Sequence, residues 1–207
     1  MEDITRKDGI TYTRRKKRDV IPSKTQYQET LKRLSEEHQL TTLIALRLGA
    51  ELGMSRLEIV HAEIQNIDRK HTRGLWVEVA KHVRRGGTYK MRSREIPINT
   101  SLYSLLLNYI DRDTKYIIKR ERPKKRITKP IQQQHINWLY EKSNIQWSSH
   151  KSRHYFKNAI KDWMRKNRCM DPELIRHYMG HPPLDAHTQY GDFSWDYKTE
   201  IIDQVFK

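Results

Sequence analysis

The sequence predicts an α+β fold that is mostly helical and contains one small antiparallel β-hairpin near its middle. Apolar residues recur at helix spacing in the first and last thirds of the 207 residues, whereas β-branched residues flank a Gly-Gly turn between them. The hydrophobic content of 36%, with five Trp and eleven Tyr, is enough for a core and too aromatic for a disordered chain. We therefore predict one folded domain in the order helices, hairpin, helices.

The helices of the first third are predicted from leucine and isoleucine spacing. Ser23 is a candidate N-cap, and the apolar residues after it indicate two successive helices, the second ending at Gly53. A third helical stretch follows Met54 and continues up to Asn66-Ile67-Asp68. Further helices are predicted at residues 101–109, 131–140, 154–164 and 172–179.

The hairpin is predicted from an apolar stretch at residues 75–80, a turn at Gly86-Gly87 and an alternating stretch at residues 92–98. A strongly basic connection, residues 119–129, follows the next predicted helix and is broken by Pro123 and Pro130. The aromatic residues Trp138, Tyr140 and Trp147 are predicted to belong to the core rather than to a base-stacking surface.

Basic residues dominate the charge. Lys and Arg number 41 against 25 Asp and Glu, a net charge of +16, and the isoelectric point is about 9.9. Such a surface attracts polyanions, so nucleic acid is the leading partner, although a ribosomal or other basic binding protein would share this composition. Residues 1–20 end in a run of basic residues and are predicted to form an arm, either solvated or lying on DNA phosphates. The basic connection at residues 119–129 is predicted to contact DNA.

Cys169 is the only cysteine, so an intrachain disulfide and a cysteine-based zinc site are excluded, and a reducing compartment is predicted. The N-terminus has no apolar signal core, and nowhere do 18 apolar residues run together. We therefore expect no membrane association and a location in the cytoplasm.

A set of polar residues near the C-terminus points to chemistry on DNA. His150 and Arg153 are followed by a predicted helix, then by Gly180-His181, and Tyr190 comes nine residues after that histidine. This pattern resembles the C-terminal half of the tyrosine recombinases, the lambda-type integrases and Xer-type resolvases, whose motifs are H-x-x-R-H, a helix, L-G-H and a tyrosine. Met179 stands where the family usually has leucine. The resemblance covers residues 22 to 190.

The family also has an earlier arginine, in a G-[LM]-R-x-x-E segment. Here Gly53 and Glu58 keep the family spacing, but Ser55 holds the place of the arginine and Arg56 follows it. A shift of one residue turns a helical side chain by about 100°. We predict Arg56 for this role because no other arginine follows Gly53 in the segment, and we expect Glu58 to orient the arginines.

The resemblance implies that Tyr190 attacks a DNA phosphate and forms a 3′-phosphotyrosyl link. The residue types fit that chemistry independently, because Arg56 and Arg153 would bind the non-bridging oxygens of a dianionic phosphorane with forked donors. His150 and His181 would donate hydrogen bonds to the same oxygens or move the tyrosine proton. Strand exchange of this kind needs no ATP, cofactor or metal, and no metal site is predicted.

A lysine of the hairpin protonates the leaving 5′ oxygen in the family, some eight residues before an I-P segment. Lys90 precedes Pro97 by seven residues and is the first choice, with Lys81 second and Arg84 or Arg85 also possible. Each of these side chains could instead simply contact phosphate. His154 could either pack at the start of its helix or take part in the chemistry.

The predicted organisation is a basic arm at residues 1–20, a catalytic domain at 21–190 and a tail helix at 191–207. The tail helix packs on its own domain or, as in related recombinases, on a neighbouring subunit of a tetramer on two double-stranded DNA segments. Full-length relatives usually carry a further N-terminal helical domain, so the chain is a minimal recombinase or a fragment.

The predicted function is site-specific recombination in a prokaryotic or viral-host cell, at its DNA. Two alternatives share the residue types. A type IB topoisomerase-like enzyme would act without a specific site, and a DNA-binding relative without activity is favoured by the displaced Arg56.

Overall fold

The computed structural model describes residues 2–5, 11–14, 20–85, 88–110, 114–119, 129–169, 171–180 and 193–207, with side chains given from residue 20 onward except at 79–92. In these ranges the order is β1 (Glu2–Thr5), β2 (Thr11–Arg14), α1 (Lys24–Glu36), α2 (Leu40–Leu52), α3 (Arg56–His61), β3 (Gly74–Arg85), β4 (Thr88–Pro97), α4 (Thr100–Tyr109), α5 (Gln134–Lys142), α6 (Ser149–Lys166), α7 (Pro172–Met179) and α8 (Trp195–Val205). The strands form two antiparallel pairs, β1 with β2 and β3 with β4. The predicted mostly helical α+β class is confirmed.

The first two helices begin and end where the sequence indicates. Ser23 caps α1 in a reciprocal box, in which its Oγ accepts from the Gln26 amide at 3.2 Å and its own amide donates to the Gln26 side chain at 2.8 Å. Helix α2 is almost wholly buried and ends at Gly53, whose φ of 63° is left-handed. A Cβ at this position would lie 2.5 Å from the ring of Phe156, so glycine also permits the approach of α6.

The third helix is shorter than predicted. It ends at His61 instead of continuing up to Asn66-Ile67-Asp68, and a single 3-10 turn follows at Ile64–Asn66. The reason is a competing backbone pairing, because the Ile64 amide donates to the Lys115 carbonyl at 3.0 Å and the Ile117 amide donates to the Ala62 carbonyl at 2.9 Å. These bonds hold the chain extended where the helix would otherwise continue.

The predicted hairpin is present, with strands longer than the pattern indicated. Pro97 lies opposite Gly74 at the base, and Lys90 lies opposite Val83 near the far end. The register shifts twice, once on each side of Ala80, and in both shifts the additional residue is on β3. Strand β4 therefore keeps its regular alternation.

Helix α6 begins five residues earlier than predicted. Ser148 is its N-cap, with Oγ accepting from the Lys151 amide at 3.2 Å. Both His150 and Arg153 are consequently helical, three residues apart and on neighbouring positions of one face. Helix α7 has the predicted bounds and ends at Gly180, which is left-handed with a φ of 65°.

Two groups of apolar residues form the core. The larger is built by α1 to α5 and the base of the hairpin, and the smaller joins α6, α7 and α8 through residues that include Phe156, Leu174 and Ile202. In this single chain α8 thus packs on its own domain. No helix in the described ranges is both long and apolar enough to cross a membrane.

The predicted aromatic cluster is only partly in the core. Tyr140 and Trp147 are buried, as predicted, whereas the prediction for Trp138 is wrong because its side chain is 44% exposed. Trp138 lies on the outer face of α5, where it stacks on His135 and where the Lys142 ammonium lies 5.1 Å from its ring centre.

Candidate active site

Glu58 is the centre of the candidate site. It is 1% exposed, and both of its carboxylate oxygens accept hydrogen bonds. Oε1 accepts from Arg94 Nε at 3.0 Å, and Oε2 accepts from Arg153 Nη1 at 3.1 Å and from the Ser55 amide at 2.6 Å. This carboxylate therefore joins β4, α3 and α6 at one buried point.

The charges at this point are coupled. Burial by itself raises the pKa of Glu58, but attraction to Arg94, hydrogen bonding to Arg94 and Ser55, and attraction to Arg153 outweigh burial and hold that pKa below its ordinary value. Burial and repulsion by Arg94 lower the pKa of Arg153, against the opposing pull of Glu58. Because guanidinium stays protonated in proteins, the cluster holds two positive charges and one negative charge.

The carbonyls at the end of α7 complete the surroundings of the two arginines. Arg94 Nη1 donates to the Tyr178 carbonyl, Arg153 Nη2 donates to the Met179 carbonyl at 2.9 Å, and Arg153 Nη1 also donates to the Gly53 carbonyl. Carbonyls in the last turn of a helix lack partners within that helix and favour cations. The arginines thereby fix the end of α7, from which the chain continues to His181.

Gly180 lies directly against Arg94. A Cβ at Gly180 would be 2.6 Å from Cδ of Arg94 and 3.0 Å from its Nε. The left-handed backbone and this close approach both require glycine. The position of the residue preceding His181 is thus tied to the arginine on β4.

His150 pairs with His154 on the exposed side of α6. Their Nε2 atoms are 2.9 Å apart and the ring centres are 4.3 Å apart in an edge-to-face arrangement. One imidazole therefore donates a hydrogen bond to the other. His154 therefore contacts a predicted catalytic residue. Whether it takes part in the chemistry stays a prediction.

Arg56 is not brought to the cluster. It is the first residue of α3 and half-buried, and no hydrogen bond or ion pair joins it to another residue in the described ranges. Ser55 instead caps the helix, with Oγ accepting from the Glu58 amide at 3.3 Å. The expected orienting role of Glu58 therefore holds for Arg153 and not for Arg56.

The remaining predicted residues lie partly or wholly outside the described part. For Lys90 only the backbone is described, within β4, and the same holds for Lys81, Arg84 and Arg85 in β3. His181 and Tyr190 both lie outside the described residues, as does most of the predicted DNA contact, residues 120–128.

Arg94 was not predicted from the sequence. A signal for it exists, because Arg94 is two residues from the buried Ile96 on a regular strand and so falls on the same face. A charged residue on the inward face of a strand needs a buried partner of opposite charge. That partner is Glu58.

Comparison with known proteins bears on the fold and the family. The sequence profile of the phage integrase family matches residues 22–192. An integrase from mycobacterium phage Brujita superposes with a TM-score of 0.65 at 16% identity, over 94% of this chain and 61% of that one. XerA recombinase superposes with a TM-score of 0.58 at 18% identity, over 91% and 65%.

A lambda integrase, solved as a tetramer bound to a Holliday junction, superposes with a TM-score of 0.51 at 16% identity, over 89% of this chain and 53% of that one. The chain thus spans less than two thirds of each of these three structures. Among curated proteins, none matches the sequence significantly. The fold is that of the tyrosine recombinase catalytic domain, and the profile match over most of the chain establishes that this protein belongs to the phage integrase family.

Proposed function

We propose that the protein is a site-specific DNA recombinase that cuts and rejoins DNA through a 3′-phosphotyrosyl intermediate on Tyr190. The observation that carries the proposal is the cluster at Glu58. There Arg153 of the H-x-x-R motif meets the end of α7 that leads to His181, although the motifs are far apart in sequence. A buried pair of arginines beside one carboxylate is a site for a further anion, such as a phosphodiester.

In the proposed reaction, Oη of Tyr190 attacks the scissile phosphorus and the bond from phosphorus to the 5′ oxygen breaks. The phenolic proton passes to an imidazole, His150 or His181, and the leaving 5′ oxygen takes a proton from Lys90. The 5′ hydroxyl of the partner strand then attacks the phosphotyrosyl link and releases the tyrosine. Because the link conserves the energy of the phosphodiester bond, rejoining requires no ATP, and two rounds pass through a Holliday junction.

The arginines stabilise the charge that develops on the non-bridging oxygens. Arg153 is one of them, and its three hydrogen bonds within the protein preset its position. Arg56 is the second arginine that the sequence proposes. It begins α3 and, among the described residues, forms no hydrogen bond or ion pair with Glu58.

The proposed partner is double-stranded DNA, to which the net charge of +16 is suited. We further propose a tetramer on DNA, the assembly in which the lambda integrase above was solved. The tail helix would be exchanged between subunits in that assembly, whereas it packs in cis in the single chain. We also propose that the protein acts on the DNA of a prokaryotic or viral-host cell.

A covalent-trapping experiment tests the nucleophile. The duplex would be selected from a random pool by binding, then prepared with a sulfur in place of the bridging 5′ oxygen, because a 5′ thiol rejoins poorly and the adduct accumulates. We expect a DNA-protein adduct on a denaturing gel with wild type and with Tyr197→Phe, the matched control, and no adduct with Tyr190→Phe.

Binding without an adduct would overturn the enzyme and support the inactive DNA-binding relative. An adduct that survives Tyr190→Phe would overturn the nucleophile. Relaxation of any supercoiled plasmid, without preference for the selected site, would support the topoisomerase-like alternative.

The same sulfur substitution tests Lys90. A thiolate leaves without being protonated, so loss of the general acid should slow cleavage of ordinary DNA but not of the sulfur-containing DNA. We expect this rescue for Lys90→Ala and not for Lys81→Ala. Rescue of Lys81→Ala alone would assign the role to Lys81.

A further inference from the structure

We propose that Arg94 of β4 supplies the second guanidinium that binds the scissile phosphate, in the role for which the family uses the arginine that Ser55 replaces here. The inference rests on the proposed recombinase function. It concerns a residue outside the recognised motifs and is carried by three observations at the Glu58 cluster.

The first observation is the shared anchor of the two arginines. Arg94 and Arg153 donate to opposite oxygens of Glu58, at 3.0 and 3.1 Å. Their side chains are 9% and 14% exposed, so both are held in place rather than mobile in solvent. One buried carboxylate thus orients two guanidinium groups side by side, which is the arrangement that two non-bridging phosphate oxygens require.

The second observation is a net positive charge in the cluster and a buried Arg94 nitrogen that has no hydrogen-bond acceptor among the described residues. The two arginines and Glu58 sum to one positive charge. Nη2 of Arg94 is buried and has no hydrogen-bond partner among the described residues, whereas Nε bonds Glu58 and Nη1 bonds the Tyr178 carbonyl. A buried charged donor without an acceptor is costly, so this nitrogen is suited to an incoming anionic oxygen.

The third observation is the position of Arg94 beside another proposed site residue. Its side chain lies against Gly180 so closely that a Cβ there would be 2.6 Å from its Cδ. His181 follows Gly180 directly. A phosphate bound by Arg94 would therefore lie next to Gly180, the residue that precedes His181 in the sequence.

Neither neighbour on α3 supplies this cation. Ser55 is uncharged and its hydroxyl caps the helix, accepting from the Glu58 amide at 3.3 Å. Arg56 forms no bond to Glu58 in the described structure. Arg94 of β4 donates to Oε1 of the same carboxylate, whereas the Ser55 amide donates to Oε2. Arg94 thus places a guanidinium at Glu58, which Ser55 does not.

The test compares Arg94→Lys with Arg165→Lys, the same change at an exposed ion pair with Asp162, in single-turnover cleavage of the selected duplex by the full chain. We expect Arg94→Lys to cleave about 100-fold more slowly, with DNA binding little changed, because lysine keeps the charge but lacks the fork. Arg165→Lys, the matched control, should remain within about threefold of wild type. Thermal unfolding of each variant checks that it is folded.

A second substrate separates phosphate binding from structural support. A methylphosphonate at the scissile position replaces one charged oxygen with a neutral methyl group, so a phosphate-binding residue has less charge to stabilise. The deficit of Arg94→Lys should then shrink to less than about tenfold. An equal deficit on both substrates would overturn the inference and leave Arg94 as a support for Glu58.

A double variant provides a second test, in which restored cleavage also shows that the Arg94→Lys background folds. Ser55→Arg returns the arginine to the family position, and in the Arg94→Lys background it should restore cleavage. Normal cleavage by Arg94→Lys, together with loss in Arg56→Lys, would overturn the inference and leave the proposed function intact. Absence of any adduct with wild type would overturn both.

Discussion

Two buried carboxylates on consecutive helices, Glu51 and Glu58, differ in the charge balance of the groups that surround them. Glu51 accepts four hydrogen bonds, from Tyr27 Oη at 2.6 Å, Arg47 Nε at 2.8 Å, Arg47 Nη2 at 2.9 Å and Asn99 Nδ2 at 2.6 Å. One arginine balances one carboxylate. We call this group the Glu51 cluster.

The Glu58 cluster, which consists of Glu58, Arg94 and Arg153, is equally buried but is not balanced. Two arginines share one carboxylate, and Nη2 of Arg94 lacks a partner in the described part of the chain. Burial therefore does not distinguish a structural ion pair from a binding site. The net charge and the number of unsatisfied donors do distinguish them, because only the Glu58 cluster would be stabilised by a further anion.

The largest effect on stability is expected from Glu51→Gln. The glutamine keeps the shape but leaves Arg47 as a buried charge without a counter-ion, which costs about 3 to 5 kcal/mol. Urea unfolding would measure this loss, and cleavage by the folded fraction should equal that of wild type. A loss of cleavage without a loss of stability would contradict the structural role of the Glu51 cluster.

The next effect is expected from the same substitution made in both clusters. Arg153→Lys removes the fork from the proposed phosphate site and should lower single-turnover cleavage about 100-fold, or about 2.7 kcal/mol of transition-state stabilisation. Arg47→Lys is its matched control and should lower stability while leaving cleavage unchanged. If both variants lose cleavage equally, the two clusters do not differ in function.

The sequence was informative where local chemistry decides the backbone. Ser23, Gly53 and Gly180 mark helix ends because caps and left-handed glycines act within a few residues. The end of α3 was not predictable in this way, since residues 115–117, distant in sequence, supply the backbone bonds that stop the helix. The early start of α6 does have a local signal, the N-cap at Ser148, whose Oγ accepts from the Lys151 amide.

The candidate site was predictable to the extent that family motifs describe it. Arg153 and the orienting role of Glu58 followed from the pattern, whereas Arg94 did not, because its carboxylate is 36 residues away along the chain. The family pattern predicts a lysine of the hairpin and contains no arginine at the position of Arg94. Only the register of β4, with Arg94 on the face of the buried Ile96, reveals it.

A smaller effect is expected from Gly180→Ala, which disturbs the Glu58 cluster through a backbone position and leaves the Glu51 cluster unchanged. The left-handed φ of 65° costs an alanine about 1 to 2 kcal/mol, and its Cβ would displace Arg94. We expect a modest loss of stability, measured by urea unfolding, and a loss of cleavage. If the loss of cleavage in Gly180→Ala arises from displacement of Arg94, the double variant with Arg94→Lys should lose less cleavage than the sum of the two single effects, expressed as free energies.

The smallest effect is expected from pH, with opposite signs in the two clusters. The pKa of Glu58 is lowered on folding, so its contribution to stability is present above the ordinary value of 4.5 and is lost as the pH falls through the folded pKa. Burial and the charge of Glu51 raise the pKa of Tyr27 well above 10.0, so its contribution is present below that value and is lost as the pH rises.

Urea unfolding of wild type across the pH range would separate these two contributions. Glu58→Gln should flatten the acid side of the stability curve and Tyr27→Phe the alkaline side, each leaving the other side unchanged apart from a uniform offset. The slope with pH is the informative quantity, because the offset also contains the hydrogen bonds that each substitution removes. An acid slope as steep in Glu58→Gln as in wild type would contradict the role of Arg94 and Arg153 in lowering the pKa of Glu58. A shallower slope should remain, because the pKa of Asp203 is also lowered.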